Sequence, residues 1–405
     1  MSSRLPLVFI VLTVVIDAMG IGLIMPVMPA LIREVNGGNL ANAAIWGGIL
    51  STSFAVMQFL FGPILGSLSD RFGRRPVLLI SLAVMAADYL LMAVVSSIWL
   101  LLIGRIIGGI TAATHSTANA YVADISQPHE KAARFGLIGA GFGLGFVFGP
   151  IVGGLLAEYG TRAPFYAAAA LAAANTVFGF LVLRETVTDK IRRPFKWSRA
   201  NPFGAFKSVT NFPGLAPLLV VYFFYQFANV VYPSIWAYFT TEMFDWSPSL
   251  IGLSLAIYGG FLALTQGFAV APAIRKFGER RTVTIGLTIE IASLIFLGFI
   301  TSGLATLIAI PIFALGAIGL PALQGILSRS VADDAQGELQ GVLTSVNSLA
   351  MIMAPLVMTQ TFAYYSGPNA PFYSPGAPFL LAAVLMVTSV AVFLHYQSRY
   401  APNPT

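Results

Sequence analysis

The chain has 405 residues, 57% of them hydrophobic and 9% charged, with a net charge of +6. A soluble domain carries about a quarter charged residues, so this sequence has too little charge to clothe a water-exposed surface and does not read as a soluble enzyme. Without cysteine there is no disulfide framework, thiolate metal site or cysteine nucleophile.

Apolar runs of about 20 residues recur along the chain, the length at which a helix crosses a hydrocarbon layer about 30 Å thick. The first, over 6–32, opens after Arg4 and continues through Gly20 and Pro26 to Arg33 with no small-residue cleavage site. It reads as a retained helix rather than a signal peptide. Runs follow near 45–68, 77–95, 98–122, 135–157 and 163–183, and six more lie near 214–240, 248–272, 282–301, 304–328, 340–364 and 376–397. Between the two sets, 185–213 carries Asp189, Lys190, Arg192, Arg193, Lys196, Arg199 and Lys207. The expected fold is all-α, with 12 transmembrane helices in two pseudo-symmetric six-helix bundles over 1–184 and 214–405, joined by a cytoplasmic linker over 185–213. Within that linker, Pro202 to Val209 with Phe203 and Phe206 can form a short amphipathic helix on the membrane surface.

The basic balance is topological and does not indicate nucleic acid. All Lys and Arg residues except Arg33, Arg105 and Arg162 fall at the termini, in alternate loops or in the linker. Positive loops stay cytoplasmic, so both termini are expected there, in a multi-pass protein of a bacterial inner membrane. The halves also repeat at an offset of about 205 residues. Phe72-Gly73-Arg74-Arg75 returns as Phe277-Gly278-Glu279-Arg280, Val122-Ala123-Asp124 as Val331-Ala332-Asp333, and Gly149-Pro150 as Ala354-Pro355. Such duplication is a mark of transporter folds with a site near the midplane.

A charge at the centre of a membrane helix costs about 2.5–3.5 kcal/mol on insertion scales, so intramembrane ionisable residues are functional candidates. Asp17 and Asp88 each lie 13 residues beyond a cytoplasmic arginine, Arg4 and Arg75, about 20 Å of helix. Glu290 lies nine residues beyond Arg281, about 14 Å deep, and Arg105 sits inside the fourth run. Buried ion pairs are the structural alternative, but one arginine against three acids leaves at least one carboxylate over. An acid with no cation beside it sheds its charge only by taking up a proton, as a proton-coupled carrier requires. Asn119, Asn175, Gln226, Asn229, Gln266, Gln324 and Asn347 are candidates to line a cavity, and equally to act as interhelical glue. Gly143, Gly145, Gly149, Gly153 and Gly154 around Pro150 suit close helix packing with a bend. His115, His129 and His395 are too scattered for a metal site, and no phosphate-binding Gly-x4-Gly-Lys-Ser/Thr loop occurs.

Gly66-Ser-Leu-Ser-Asp70-Arg71-Phe-Gly73-Arg74-Arg75-Pro76 resembles the signature loop of the major facilitator superfamily at nearly every position. Arg105-x3-Gly109 resembles that family's proton-transfer motif, and Gly145 to Gly154 around Pro150 resembles the motif marking its antiporters. Within the superfamily the chain is similar to the drug:proton antiporters of the tetracycline efflux type. That likeness rests on Asp17-Ala-Met-Gly20-Ile-Gly22, Asp88-Tyr89, Gly104-Arg105-Ile-Ile-Gly108-Gly109, Ala120-Tyr121-Val-Ala-Asp124 and Gly337-Glu-Leu-Gln340-Gly341. It covers nearly the whole chain and is densest in the first half.

The resemblance implies a cytoplasmic gate at Gly66, Asp70, Arg71, Gly73, Arg74 and Arg75, and proton or substrate coupling by Asp17, Asp88, Arg105 and Glu290. It further implies export of a tetracycline-type drug as a metal chelate in exchange for protons. No resident cofactor or metal is expected; Mg2+ would travel with the drug, and the protein would work as a monomer in the bilayer. Two departures bear on cargo. Glu290 stands where an aspartate is expected, and helix 8 has no histidine, whereas some members place one there. Export of another amphiphile or a sugar-like solute by the same proton cycle is the alternative. A receptor that binds without transport would leave the signature loop, the duplicated halves and the buried acids unused.

Overall fold

The computed structural model describes residues 4–112, 114–127, 129–188, 192–195, 197, 200–204 and 212–400; most of the amphipathic segment expected over 202–209 lies outside them. Among the described residues there is no strand. Eleven helical stretches are long and apolar enough to cross a membrane. The longest, Pro248–Phe299, is interrupted at Gly278, whose φ of 74° and ψ of 162° lie outside the helical region. It makes two crossings, and the 12 expected spans are all present. The chain is a multi-pass membrane protein.

The helices in chain order are α1 (Arg4–Ile24), α2 (Met28–Asn36), α3 (Leu40–Phe72), α4 (Arg74–Val94), α5 (Ile98–Thr111), α6 (Thr114–Ile125), α7 (Lys131–Ala157) and α8 (Ala163–Val182). After the linker come α9 (Ala216–Asn229), α10 (Val231–Phe244), α11 (Pro248–Leu264), α12 (Val270–Phe299), α13 (Gly303–Gly316), α14 (Gly319–Arg329), α15 (Gln336–Ser366) and α16 (Ala377–Tyr400). Four spans are each built of two helices end to end: α1/α2, α5/α6, α9/α10 and α13/α14. They are the first and fourth of each set of six. Chemistry accounts for three of the breaks. A proline has no N–H to give the carbonyl four residues earlier, and Pro29, Pro233 and Pro321 stand four residues beyond Met25, Asn229 and Ala317, where the helices part. Discontinuous helices of this kind build the binding sites of transporters.

The helices cluster into two compact units, Met1–Gly38 with Ser53–Pro202 and Ser247–Ala256, and Asn39–Thr52 with Phe203–Trp246 and Ile257–Thr405. In the first unit α1 packs on α7 and α8, and α4 packs on α5, α6 and α8. Lipid-like surroundings supply no hydrophobic drive between helices, so small residues that let backbones approach become the adhesive. Gly145, Gly149 and Gly153 of α7 lie against the carbonyls of Val15, Met19 and Leu23 of α1, so that a Cβ on Gly149 would come 2.5 Å from Met19 O. Gly141 continues the row toward Val11. Pro150 sits inside α7 with Cδ against Gly22, while Gly154 turns the other way, onto Pro248 and Ser249.

In the second unit α12 packs on α13, α14 and α16, and α9 on α15 and α16. Gly286 and Gly319 meet backbone to backbone, which brings α12 and α14 together at the depth of Glu290. Thr52 Oγ1, from the start of α3, donates to Ile352 O at 3.0 Å.

A Gly149→Val substitution is expected to force α1 and α7 apart, lowering both the amount of protein in the membrane and its melting temperature in detergent. Gly143→Val is the control, because nothing lies within 4 Å of that position, and it should leave both unchanged.

Candidate functional site

Asp88 on α4 and Arg105 on α5 form an ion pair, both buried. Glycines make the room: a Cβ on Gly104 or Gly108 would lie 2.8 Å from one or other Asp88 carboxylate oxygen. The guanidinium also lies over the Phe54 ring, 5.3 Å from its centroid, a cation–π contact that strengthens when water is absent. Asp88 Oδ1 and Arg105 Nε have no hydrogen-bond partner among the described residues. Of the three acids singled out in the sequence, the arginine has taken Asp88. Asp17, half-buried on α1, lies within electrostatic reach of Tyr89, the residue after Asp88. The Tyr89 hydroxyl packs onto Gly20, one turn beyond Asp17.

Glu290 is 1% exposed, and neither carboxyl oxygen has a hydrogen-bond partner among the described residues. Its Cγ packs where Gly316 of α13 lacks a side chain, 2.7 Å from the Cβ that any other residue would carry there. The polar groups acting on it are phenols. Tyr225 on α9, Tyr232 on α10 and Tyr258 on α11 all feel its charge. The rings of Tyr232 and Tyr258 are stacked with centroids 5.9 Å apart.

The amides divide. Gln226 donates to Asn347 Oδ1 across α9 and α15, Gln324 reaches the Tyr222 hydroxyl, and Asn229 returns to Tyr225 O at 3.1 Å. Thr13 Oγ1 donates to Asn175 Oδ1 at 3.3 Å, so that pair works as glue between α1 and α8. Asn119 is half-buried on α6, and Gln266 is exposed on a wide turn of helix over Thr265–Ala269. Such a π-type turn is rare and often marks a functional position.

The signature loop closes into a network. Gly73 has φ of 113°, a backbone state that favours glycine, and it turns the chain from α3 into α4. Arg74 pairs with Asp70 at 2.5 Å and with Asp124, at the end of α6, at 3.2 Å. It also donates to Ser69 Oγ at 2.6 Å, and Ser69 Oγ donates to Gly66 O at 2.8 Å. Arg75 donates to Phe180 O at 2.9 Å and lies over that ring, while Arg71 lies over Phe72. Sequence reasoning missed Glu185. Its carboxylate accepts from the backbone N–H of Arg74 at 2.9 Å and of Arg75 at 3.3 Å, capping a helix start that has no other side-chain cap. It also accepts from the N–H groups of Thr186 and Val187, and Thr186 Oγ1 donates to Asp124 at 2.9 Å. The first residues of the linker are thus tied to the loop. An acid following a span, in a chain so poor in acids, was the available signal.

The second unit repeats the turn with the charges reversed. Gly278 has a positive φ, Glu279 follows it, and Glu279 pairs with Arg329 at the end of α14. Glu279 stands where Arg74 stands in the first half, whereas its partner Arg329 lies four residues before Asp333, the repeat of Asp124. Among the described residues, no group of three or more His, Asp or Glu side chains is placed to hold a metal ion.

Twelve spans in two sets of six, broken first and fourth helices, and ionisable groups held inside the bilayer define a membrane transporter. A family model described as Major Facilitator Superfamily matches residues 10–235 and again 218–404, and the chain belongs to that superfamily. It is 42% identical to Tetracycline resistance protein, class C, of Escherichia coli over 90% of this chain and 91% of that one. It is 36% identical to Tetracycline resistance protein, class H, of Pasteurella multocida over 98% of each. Among solved structures, a mutant of the nucleoside transporter NupG matches with a TM-score of 0.79 and 14% identity, covering 97% of this chain and all (100%) of that one; this likeness concerns the fold.

Two outcomes follow from the site. Asp88→Asn strands the Arg105 charge, and breaking a buried pair from one side costs about 3–5 kcal/mol. The single variant is expected to melt well below the parent in detergent, and Asp88→Asn with Arg105→Gln to recover most of that loss. Glu185→Ala removes the cap of α4, worth about 1 kcal/mol, and is expected to lower transport several-fold with little change in the amount of inserted protein, read by uptake into vesicles and by immunoblot.

Proposed function

We propose that the protein is an inner-membrane antiporter that exports a tetracycline-type drug, as its divalent-cation chelate, in exchange for protons. The observation that carries this reading is Glu290, an acid sealed among phenols and apolar groups with no cation beside it. Such a carboxyl is comfortable only while it holds a proton, so its release and recapture of one can be tied to a change of access. The cargo is proposed from the tetracycline resistance proteins that this chain resembles over most of its length.

In this reading Asp17, Asp88 and Glu290 are the proton and cation sites, and Arg105 holds Asp88 as the coupling partner. The loop from Gly66 to Arg75 favours one access state, and Gly145 to Gly154 with Pro150 keeps the antiporter halves moving as close-packed bodies. Both termini are cytoplasmic, as the basic loops require. Mg2+ enters as part of the cargo, there is no resident cofactor, and a single chain suffices.

Purified protein in proteoliposomes carrying a proton gradient is expected to release protons on addition of tetracycline with magnesium. Glu290→Gln should abolish that signal while inserting normally. Full proton movement in this variant would remove Glu290 from the cycle, and a signal only with other amphiphiles would replace the cargo.

A further inference from the structure

Glu290 must spend part of any proton cycle as a carboxylate, and a buried carboxylate is tolerated only where donors turn toward it. The titratable groups that act on it can be named. Tyr225 on α9 feels the charge without bonding to it, its hydroxyl oxygen accepting from Asn229. Tyr258 on α11 feels the charge without bonding to it. From α13 the neighbour is Gly316, which brings no polar side chain. No lysine, arginine or histidine among the described residues acts on the carboxyl. That leaves Tyr232 on α10. Its hydroxyl is directed at Glu290, yet stops short of hydrogen-bond geometry, so the phenol oxygen and both carboxyl oxygens are buried without partners.

A donor and an acceptor facing each other, each otherwise unsatisfied, form a bond waiting for a charge. We infer that Tyr232 is a positioning residue of the proton site, whose hydroxyl closes onto Glu290 when that carboxyl gives up its proton and opens again when the proton returns. The balance is simple. The Glu290 O–H bond breaks, its proton passes to entering water, and the electron pair left on the carboxylate accepts from Tyr232 O–H, which keeps its own hydrogen. The placement favours movement. Tyr232 is the second residue of α10, directly before Pro233 and beside the interruption at Val230, where the helix lacks a backbone bond and a small adjustment costs little. Its ring is held on the other side by Tyr258 at 5.9 Å and Phe379 at 6.1 Å, so the hydroxyl is aimed by packing.

This inference rests on the antiport reading above, and its test separates the two. Tyr232→Phe keeps the ring and its stacking and removes only the donor. Proteoliposomes are assayed for tetracycline–magnesium uptake driven by a proton gradient, and for exchange of labelled against unlabelled drug, which needs no net proton release. Hydrogen bonds to charged groups are the strong ones, so the turnover of driven uptake is expected to fall about tenfold or more. Its KM and the drug–drug exchange should stay within about twofold. Tyr238→Phe, which removes another buried, unpartnered hydroxyl from α10 that does not act on Glu290, is expected to retain parental uptake. Parental uptake by Tyr232→Phe overturns the inference and leaves the antiport reading standing. Equal loss of uptake and exchange shows a packing role and also overturns it. No proton-driven uptake by the parent protein overturns both.

Discussion

Arg105 and Asp88 show what the bilayer demands of every polar group in this chain. A lone guanidinium in hydrocarbon has no water to solvate it, and the attraction of a single carboxylate repays that desolvation only when contact is close and further contacts help. Here the help is the Phe54 face on one side and two glycines that leave space for the carboxylate on the other. Pairing at that point sets the terms elsewhere. With the intramembrane arginine committed to Asp88, Asp17 and Glu290 have to manage their charge through protons or through cargo. The two ways of tolerating an acid in a membrane, matching it with a cation or neutralising it, are thus both present in one chain.

The same solvent explains how the helices hold together. Leu and Val gain nothing by leaving lipid for protein, so contact has to come from shape and from backbone proximity. The glycine row of α7 meets the carbonyl row of α1 four residues at a time, and Gly286 meets Gly319 in the second unit. In both places the close approach lies beside an intramembrane acid, the half-buried Asp17 on α1 and the buried Glu290 on α12. Tight backbone contacts fix the helices that carry the acids, while prolines interrupt spans of the same units. Pro233 frees a carbonyl beside the Tyr232 segment, and Pro29 and Pro321 interrupt their spans in the same way.

Much of this architecture is written in one-dimensional features. Span number follows from hydropathy, and even the Gly278 interruption falls at a repeat of the Gly73 loop. Pair identities are another matter. Hydropathy places Arg105 and three acids at membrane depth, but which acid it meets depends on helix rotation, which a local sequence does not encode. Gln226 and Asn347 are 121 residues apart, and as single amides each reads equally as cavity lining or glue; only their packing shows that they satisfy one another. Glu185 escaped notice because it sits at the edge of a charged linker, where solvated side chains are the rule. Its role comes from the unpaired N–H groups at the start of α4, which a sequence shows only once the partner is known.

The ion pairs Arg74–Asp124 and Glu279–Arg329 start from equivalent residues after the two turn glycines, but they end on residues that are not repeats of each other. A glutamate after the second turn glycine needs a cation within reach, and Arg329, four residues before the repeat of Asp124, supplies it. If recombination moved the Phe72–Arg75 loop into the place of Phe277–Arg280, an arginine would face Arg329, and the reciprocal transfer would set a glutamate against Asp124. Each turn is thus matched to the helix it meets, and the two loops are not interchangeable parts although their sequences repeat.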